Sequence, residues 1–323
     1  MKTRILSRAN LVDIAPMSEV VEAVEAAFVA HARGKTQMPP KVYLEFPEHE
    51  GDLRAMPSAM AGAAGVKWVN SHPHNPERHN LPSVMGVYIL SDPATALPLA
   101  ILDGTLLTAL RTGAAAAVAS RHLATNRIES MGFVGCGVQA RYLLSAHRAV
   151  FGDGFECLCA DLRAEAASTF AAEVGALGLR SRAASPEEAA GADIVNTATP
   201  GSAIAVQAEW VRPHAHVNAM GADAPGKQEI ASDLLARAQI VIDERYQATH
   251  SGEINVALSE GRLADSDLAG TLGQVVLGEV TLDRDRLTVF DSTGLAVQDL
   301  AVAQLLWKRA QAANVGQVIS LTE

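Results

Sequence analysis

Gly135, Gly137 and Ala140 stand in G-x-G-x-x-G/A spacing directly after the apolar run 131–134, and Asp161 closes a second apolar run. The first two glycines permit a tight turn and a close backbone approach to a pyrophosphate, while a small third residue lets a helix pack on its strand. A helix that starts in the turn aims free N–H groups and its positive dipole end at the phosphates. Asp161 follows Ala140 by 21 residues, where an acid meets the ribose hydroxyls of a dinucleotide. This chemistry needs a strand at 131–134, a helix at 139–150 and a strand at 155–160, and the patterns of all three segments fit.

Other residues have the right types for a site. Three later strand ends carry polar groups: Thr197 and Thr199, then Met220, Gly221 and Asp223, then Ser292. Ligands of open α/β sheets sit at such ends, although turn chemistry also favours these residues. Lys67 interrupts the apolar stretch GVKWVN. Such a lysine either snorkels at a sheet edge or sits in an apolar site with a lowered pKa, where it can exchange protons. Arg54 and Arg111 also lie beside apolar segments and have the planar fork that grips a carboxylate. His72 and His74 flank Pro73 with no companion cluster, so a surface loop is expected rather than a metal site. Cys136, Cys157 and Cys159 form no C-x-x-C and read as small packing residues.

The elements that must position these groups fall into two styles. Residues 1 to about 100 read as a helix at 16–31 stopped by Gly34, followed by strands at 41–46, 53–60, 65–70, 81–90 and 97–102. In the first of these strands Val42, Leu44 and Phe46 are expected to form a buried face. A long alanine-rich helix at 105–124, interrupted at Thr112-Gly113, leads into alternating strands and helices, with later strands at 193–196, 215–219 and 239–242. That alternation predicts a parallel sheet covered by helices. A last helix at 296–313 is expected to return to the first domain.

The 323 residues suggest about two domains, and 49% apolar content with 4% aromatics implies cores of Ala, Val and Leu. A formal charge of −10 and a pI near 5.5, with no basic run, argue against a nucleic-acid surface. No signal-type apolar core and no run of roughly 18 apolar residues is present, so a cytoplasmic protein away from membranes is expected.

The stretches QMPPKVYLEF, GDLRAMP, GVKWVNSHPHNP, LRTGAAAA, GFVGCGVQA, GADAPGKQE, GEINVA and FDSTGLAVQD resemble the ornithine cyclodeaminase/mu-crystallin family, above all its archaeal-type alanine dehydrogenase branch. The resemblance implies an NAD(P)-dependent homodimer with an α/β fold. Its parts would be a Rossmann-type parallel-sheet domain at 116–297 and a mainly β substrate-binding and dimerisation domain at 1–115 with 298–323. It implies that Lys67 is catalytic, with Asp223 as its acid/base partner, and that Arg111 holds the substrate carboxylate, helped by Lys41. Arg54 and Met56 would complete the substrate pocket. Gly135, Gly137, Val138 and Gln139 would form the pyrophosphate loop, and Lys227 and Ser292 would lie near the nicotinamide. Ser83, Thr112, Asp161, Arg163, Thr197, Thr199, Met220 and Gly221 would complete the cofactor set, with no metal.

Cyclodeaminases of the family carry a glutamate two residues before the motif methionine, which helps hold a diamine. Arg54 stands there in this chain and disfavours a distal ammonium. The resemblance therefore implies oxidative deamination of a small L-amino acid, alanine to pyruvate and ammonia. Cyclodeamination, cyclic ketimine reduction and non-catalytic NADPH binding are the alternatives. Asp161 favours NAD, whereas Arg163 leaves NADP possible.

Overall fold

The computed structural model describes residues 2–200 and 203–321. In chain order it opens with β1 (Lys2–Leu6), α1 (Arg8–Val12), α2 (Met17–Ala32), β2 (Val42–Phe46), β3 (Gly51–Met60), β4 (Ala63–Ser71), α3 (Asn75–His79), β5 (Gly86–Ser91), β6 (Pro98–Asp103) and α4 (Gly104–Leu123). It continues through β7 (Ser130–Val134), α5 (Val138–Phe151), β8 (Glu156–Ala160), α6 (Ala164–Ala176), β9 (Arg180–Ala183), α7 (Pro186–Ala190), β10 (Ile194–Thr197), β11 (His216–Ala219), α8 (Ser232–Leu235) and β12 (Gln239–Ile242). It closes with α9 (Arg245–Ser251), α10 (Asn255–Ser259), β13 (Leu268–Thr271), α11 (Leu272–Val276), β14 (Thr288–Asp291), α12 (Ala296–Ala312) and β15 (Gln317–Ser320). Two compact units result: Met1–Arg111 with Leu295–Glu323, and Thr112–Gly294.

The first unit is built on a sheet ordered β15-β1-β6-β5-β4-β3-β2, antiparallel except where β1 pairs with β6. Strand alternation sends Arg54, Met56 and Ser58 of β3, and Lys67 and Val69 of β4, to the face covered by α12. The opposite face carries Val42, Leu44, Trp68, Val87 and Ile89, all exposed. The buried face expected for β2 is therefore not found. Val42 and Leu44 are 58% and 50% exposed, because β2 is an edge strand whose apolar side looks away from the helices.

The second unit holds a parallel sheet ordered β13-β12-β14-β11-β10-β7-β8-β9. Successive residues of its strands feed two separate apolar clusters, with Met131 and Phe133 in one and Val134, Val195 and Val217 in the other. A parallel sheet covered on both sides requires such nearly continuous apolar strands. The order reverses between β7 and β10, where doubly wound sheets open a crevice for a ligand. The expected interruption of the long helix is absent, and α4 runs unbroken through Thr112 and Gly113. Gly113 serves packing instead, since a Cβ there would lie 2.3 Å from the carbonyl oxygen of Tyr142. No helix among the described residues is long and apolar enough to cross a membrane.

Candidate functional site

In the first unit, β3, β4, α4 and α12 bring three charged side chains together in the interior. Lys67 is 1% exposed, and its Nζ lies 2.9 Å from Oδ1 and 2.8 Å from Oδ2 of Asp299, itself fully buried on α12. Arg111 of α4 donates its Nε to the same Oδ1 at 3.2 Å. The terminal nitrogens of Arg111 have no partner among the described residues, which leaves a fork suited to a carboxylate. Burial lowers the Lys67 pKa to about 7, and the Arg111 and Lys41 charges push the same way against the pull of Asp299. Met56 pairs across the strands with Lys67 and packs with Val69, Ala296 and Met38. Of the two sequence readings of Lys67, the buried one holds.

Arg54 lies on the same sheet face, but its fork closes on Asp52: Nε donates to Oδ1 at 2.6 Å and Nη2 to Oδ2 at 2.8 Å. Its guanidinium also sits 5.2 Å from the centroid of the Tyr43 ring. The sequence put Arg54 on a substrate carboxylate, whereas here Asp52 fills two of its donors. Ser83 lies in the loop before β5, where its carbonyl accepts the His72 N–H at 2.8 Å. His72 and His74 lie near that loop, and no group of three or more metal-ligating side chains among the described residues could hold an ion.

In the second unit the glycine turn follows β7 and leads into α5. Gly135 has φ +97°, and a Cβ there would lie 2.7 Å from the Ala198 oxygen, so only glycine fits. Gly137 is the N-cap of α5 without a side-chain cap, and a Cβ on it would meet nothing within 4 Å. That open space beside uncapped helical N–H groups suits a pyrophosphate. Val138, 65% exposed, and Gln139 form the first turn of α5. Asp161 accepts the Cys136 N–H at 2.8 Å and the Arg163 N–H at 2.9 Å, so the acid is tied to the turn itself.

The remaining strand ends are held from below. Glu229, fully buried, accepts from the Thr197 hydroxyl at 2.7 Å, the Thr199 N–H at 2.6 Å and the Gly221 N–H at 2.6 Å. Met220 follows β11 and donates its N–H to the Thr197 carbonyl. Asp223 pairs with Lys227 at 2.7 Å in the next loop, both partly exposed. The Ser292 hydroxyl, after β14, is buried with no hydrogen-bond partner among the described residues, which leaves it open to a polar group of a ligand. Thr112 is buried in α4. These features together fit a dinucleotide.

The sequence profile of the ornithine cyclodeaminase/mu-crystallin family matches residues 1–314. The chain belongs to this family. It is 46% identical over 321 residues to an alanine dehydrogenase of Archaeoglobus fulgidus, across 99% of this chain and 98% of that protein. Its fold matches an archaeal alanine dehydrogenase dimer with bound NAD at a TM-score of 0.95, with 46% identity over 99% of this chain and 100% of that one. A Delta(1)-pyrroline-2-carboxylate reductase of Thermococcus litoralis, in complex with NADH and L-proline, matches at 0.94 with 32% identity, covering 98% and 99% of the two chains. The resemblance seen in the sequence thus extends over the fold. Two residues that the sequence reading gave no role are Asp299, which joins Lys67 and Arg111, and Glu229, which ties the loops after β10 and β11, although both lie inside the stretches that carry the family likeness.

Proposed function

We propose that this family member oxidises a small L-amino acid, alanine foremost, reversibly to its 2-oxo acid and ammonia. The observation that carries this reading is the buried group of Lys67, Asp299 and Arg111. It joins an uncommitted guanidinium fork to a lysine whose pKa of about 7 suits proton exchange at neutral pH. NAD, when bound, supplies the acceptor for the substrate's Cα hydride.

The chain's own residues do the rest. The terminal nitrogens of Arg111 grip the substrate carboxylate, and Lys41 adds positive charge nearby. Lys67, half deprotonated near neutrality, takes a proton from the substrate ammonium so that the nitrogen lone pair can assist. Asp299 holds the Lys67 Nζ in place and balances its charge. Water then adds to the imino carbon, with Lys67 or Asp223 moving its proton, and ammonia leaves. Gly135 and Gly137 with the first turn of α5 hold the pyrophosphate, Asp161 the ribose, and the unpaired Ser292 hydroxyl the carboxamide.

Lys41, Arg54 and Arg111 make the surroundings cationic, which opposes a diamine and supports a small neutral amino acid over ornithine. Cyclic imine reduction is the second reading, favoured by the Thermococcus relative held with NADH and L-proline. We further propose a homodimer in which a second copy covers the exposed apolar face of Val42, Leu44, Trp68, Val87 and Ile89, since the archaeal relative is a dimer. Replacing Lys67 by Ala should cut turnover by roughly 100-fold or more while NADH still binds. Retained turnover would remove Lys67 from the mechanism.

A further inference from the structure

Buried acids hold the carboxyl ends of β10, β11 and β14. Asp291, the last residue of β14, accepts the Glu253 N–H at 2.9 Å and the Ile254 N–H at 3.2 Å. Glu253 accepts the Glu229 N–H at 2.8 and 3.0 Å and the Ile230 N–H at 2.7 Å. Glu229 in turn accepts Thr199 N–H, Gly221 N–H and the Thr197 hydroxyl. Each acid fixes the backbone that carries the next, and the last fixes the two loops after β10 and β11. The fit is tight: a Cβ on Gly221 would lie 2.3 Å from the Thr199 oxygen and 2.6 Å from the Glu229 carboxyl group.

All three acids are fully buried. Burial raises the pKa of each; repulsion from Glu229 and Asp291 adds to it at Glu253, and repulsion from Asp243 and then Glu229 at Asp291. Apolar residues would make a core here without that penalty. What they cannot do is aim backbone N–H groups, because a buried N–H needs an acceptor.

We propose that Glu229 is a positioning residue for the dinucleotide. It sets the loops at Thr197–Thr199 and Met220–Gly221 into the shape the cofactor needs, without touching the cofactor, and Glu253 and Asp291 back it. The hydrogens of the Thr197 hydroxyl and the Gly221 N–H are spent on Glu229, so these two donors shape the rim. The proposal rests on the NAD reading given above.

The test is NADH binding, followed by fluorescence, in wild type, Glu229→Gln and Glu253→Gln. Glutamine would put an NH2 group against a backbone N–H, so Glu229→Gln should weaken NADH by about tenfold or more, and Glu253→Gln in the same direction by less. In the assay the KM for NAD should rise by more than the KM for the amino acid. A purely structural defect would instead lower the active fraction and leave KM alone. Hydrogen exchange without cofactor should speed up at residues 197–200 and 219–223. A folded Glu229→Gln with wild-type affinity overturns the proposal. If that variant does not fold, unchanged affinity in Glu253→Gln overturns it. Wild type that binds no NADH brings down the cofactor reading and this proposal together, a separate result.

Discussion

Replacing Asp299 by Asn should move the ionisation of Lys67 to lower pH. Lys67 Nζ is fully buried, 2.8 Å from one carboxylate oxygen of Asp299, and Arg111 shares that carboxylate. Charge centres about 4 Å apart attract by about 4 kcal/mol at an effective dielectric near 20, which corresponds to about three pKa units. The substitution also unmasks Arg111 toward Lys67, and that acts in the same direction. Water entry and relaxation reduce the effect, so a fall of at least about one unit from the present value of about 7 is the minimum expected. The assay is kcat/KM for the amino acid across pH 5–9, because that ratio reports groups of the free enzyme. The limb that belongs to Lys67 should move to lower pH whether the lysine acts as base or acid. Loss of the buried carboxylate should also cost about 3–5 kcal/mol of stability, read in a melt. A limb that stays in place or moves to higher pH would refute the coupling.

Other expectations follow from separate parts of the molecule. Asp161→Asn keeps an acceptor for the Cys136 N–H but removes the charge facing a ribose phosphate. The ratio of kcat/KM for NAD over NADP should drop about tenfold, and an unchanged ratio would exclude Asp161 as the selector. Trp68→Glu places a charge on the exposed apolar face, so sedimentation should show a shift to monomer; an unaltered dimer would put the interface elsewhere. His147 and His216 are fully buried with pKa values lowered by burial to about 4 and about 3. A lowered folded pKa means that their stability contribution is present above about 6.5 and lost as pH falls toward those values, about 3 kcal/mol for His147. The fall in melting temperature between pH 6.5 and 4 should therefore shrink in His147→Gln, and an equal fall would show that His147 does not contribute.

Local order was readable from local sequence. The glycine turn, the strand and helix around it and the acid at Asp161 depend on spacing within some 30 residues. Lys67 was noticeable because a charge broke an apolar strand. Its partner was not, since Asp299 lies 232 residues away and an acid near a helix start looks like ordinary capping. Glu229 was hidden for the same reason: its three ligands come from two other loops. Apolar alternation in β2 was read correctly as a strand, but neither of its faces is buried, because alternation alone does not reveal that a strand lies at the edge of its sheet. Gly113 looked like a break because helix propensity weighs against glycine, whereas close packing on α5 decides that position. The strand β1 and the edge strand β15 beside it were missed, being short and partly exposed.

The most direct measurement is NADH formation together with ammonia release, with NAD and a panel of L-amino acids that includes alanine and ornithine. Equal amounts of both products from alanine are expected. Ammonia from ornithine without NADH, or neither product from any member of the panel, would contradict the proposed oxidation of a small amino acid.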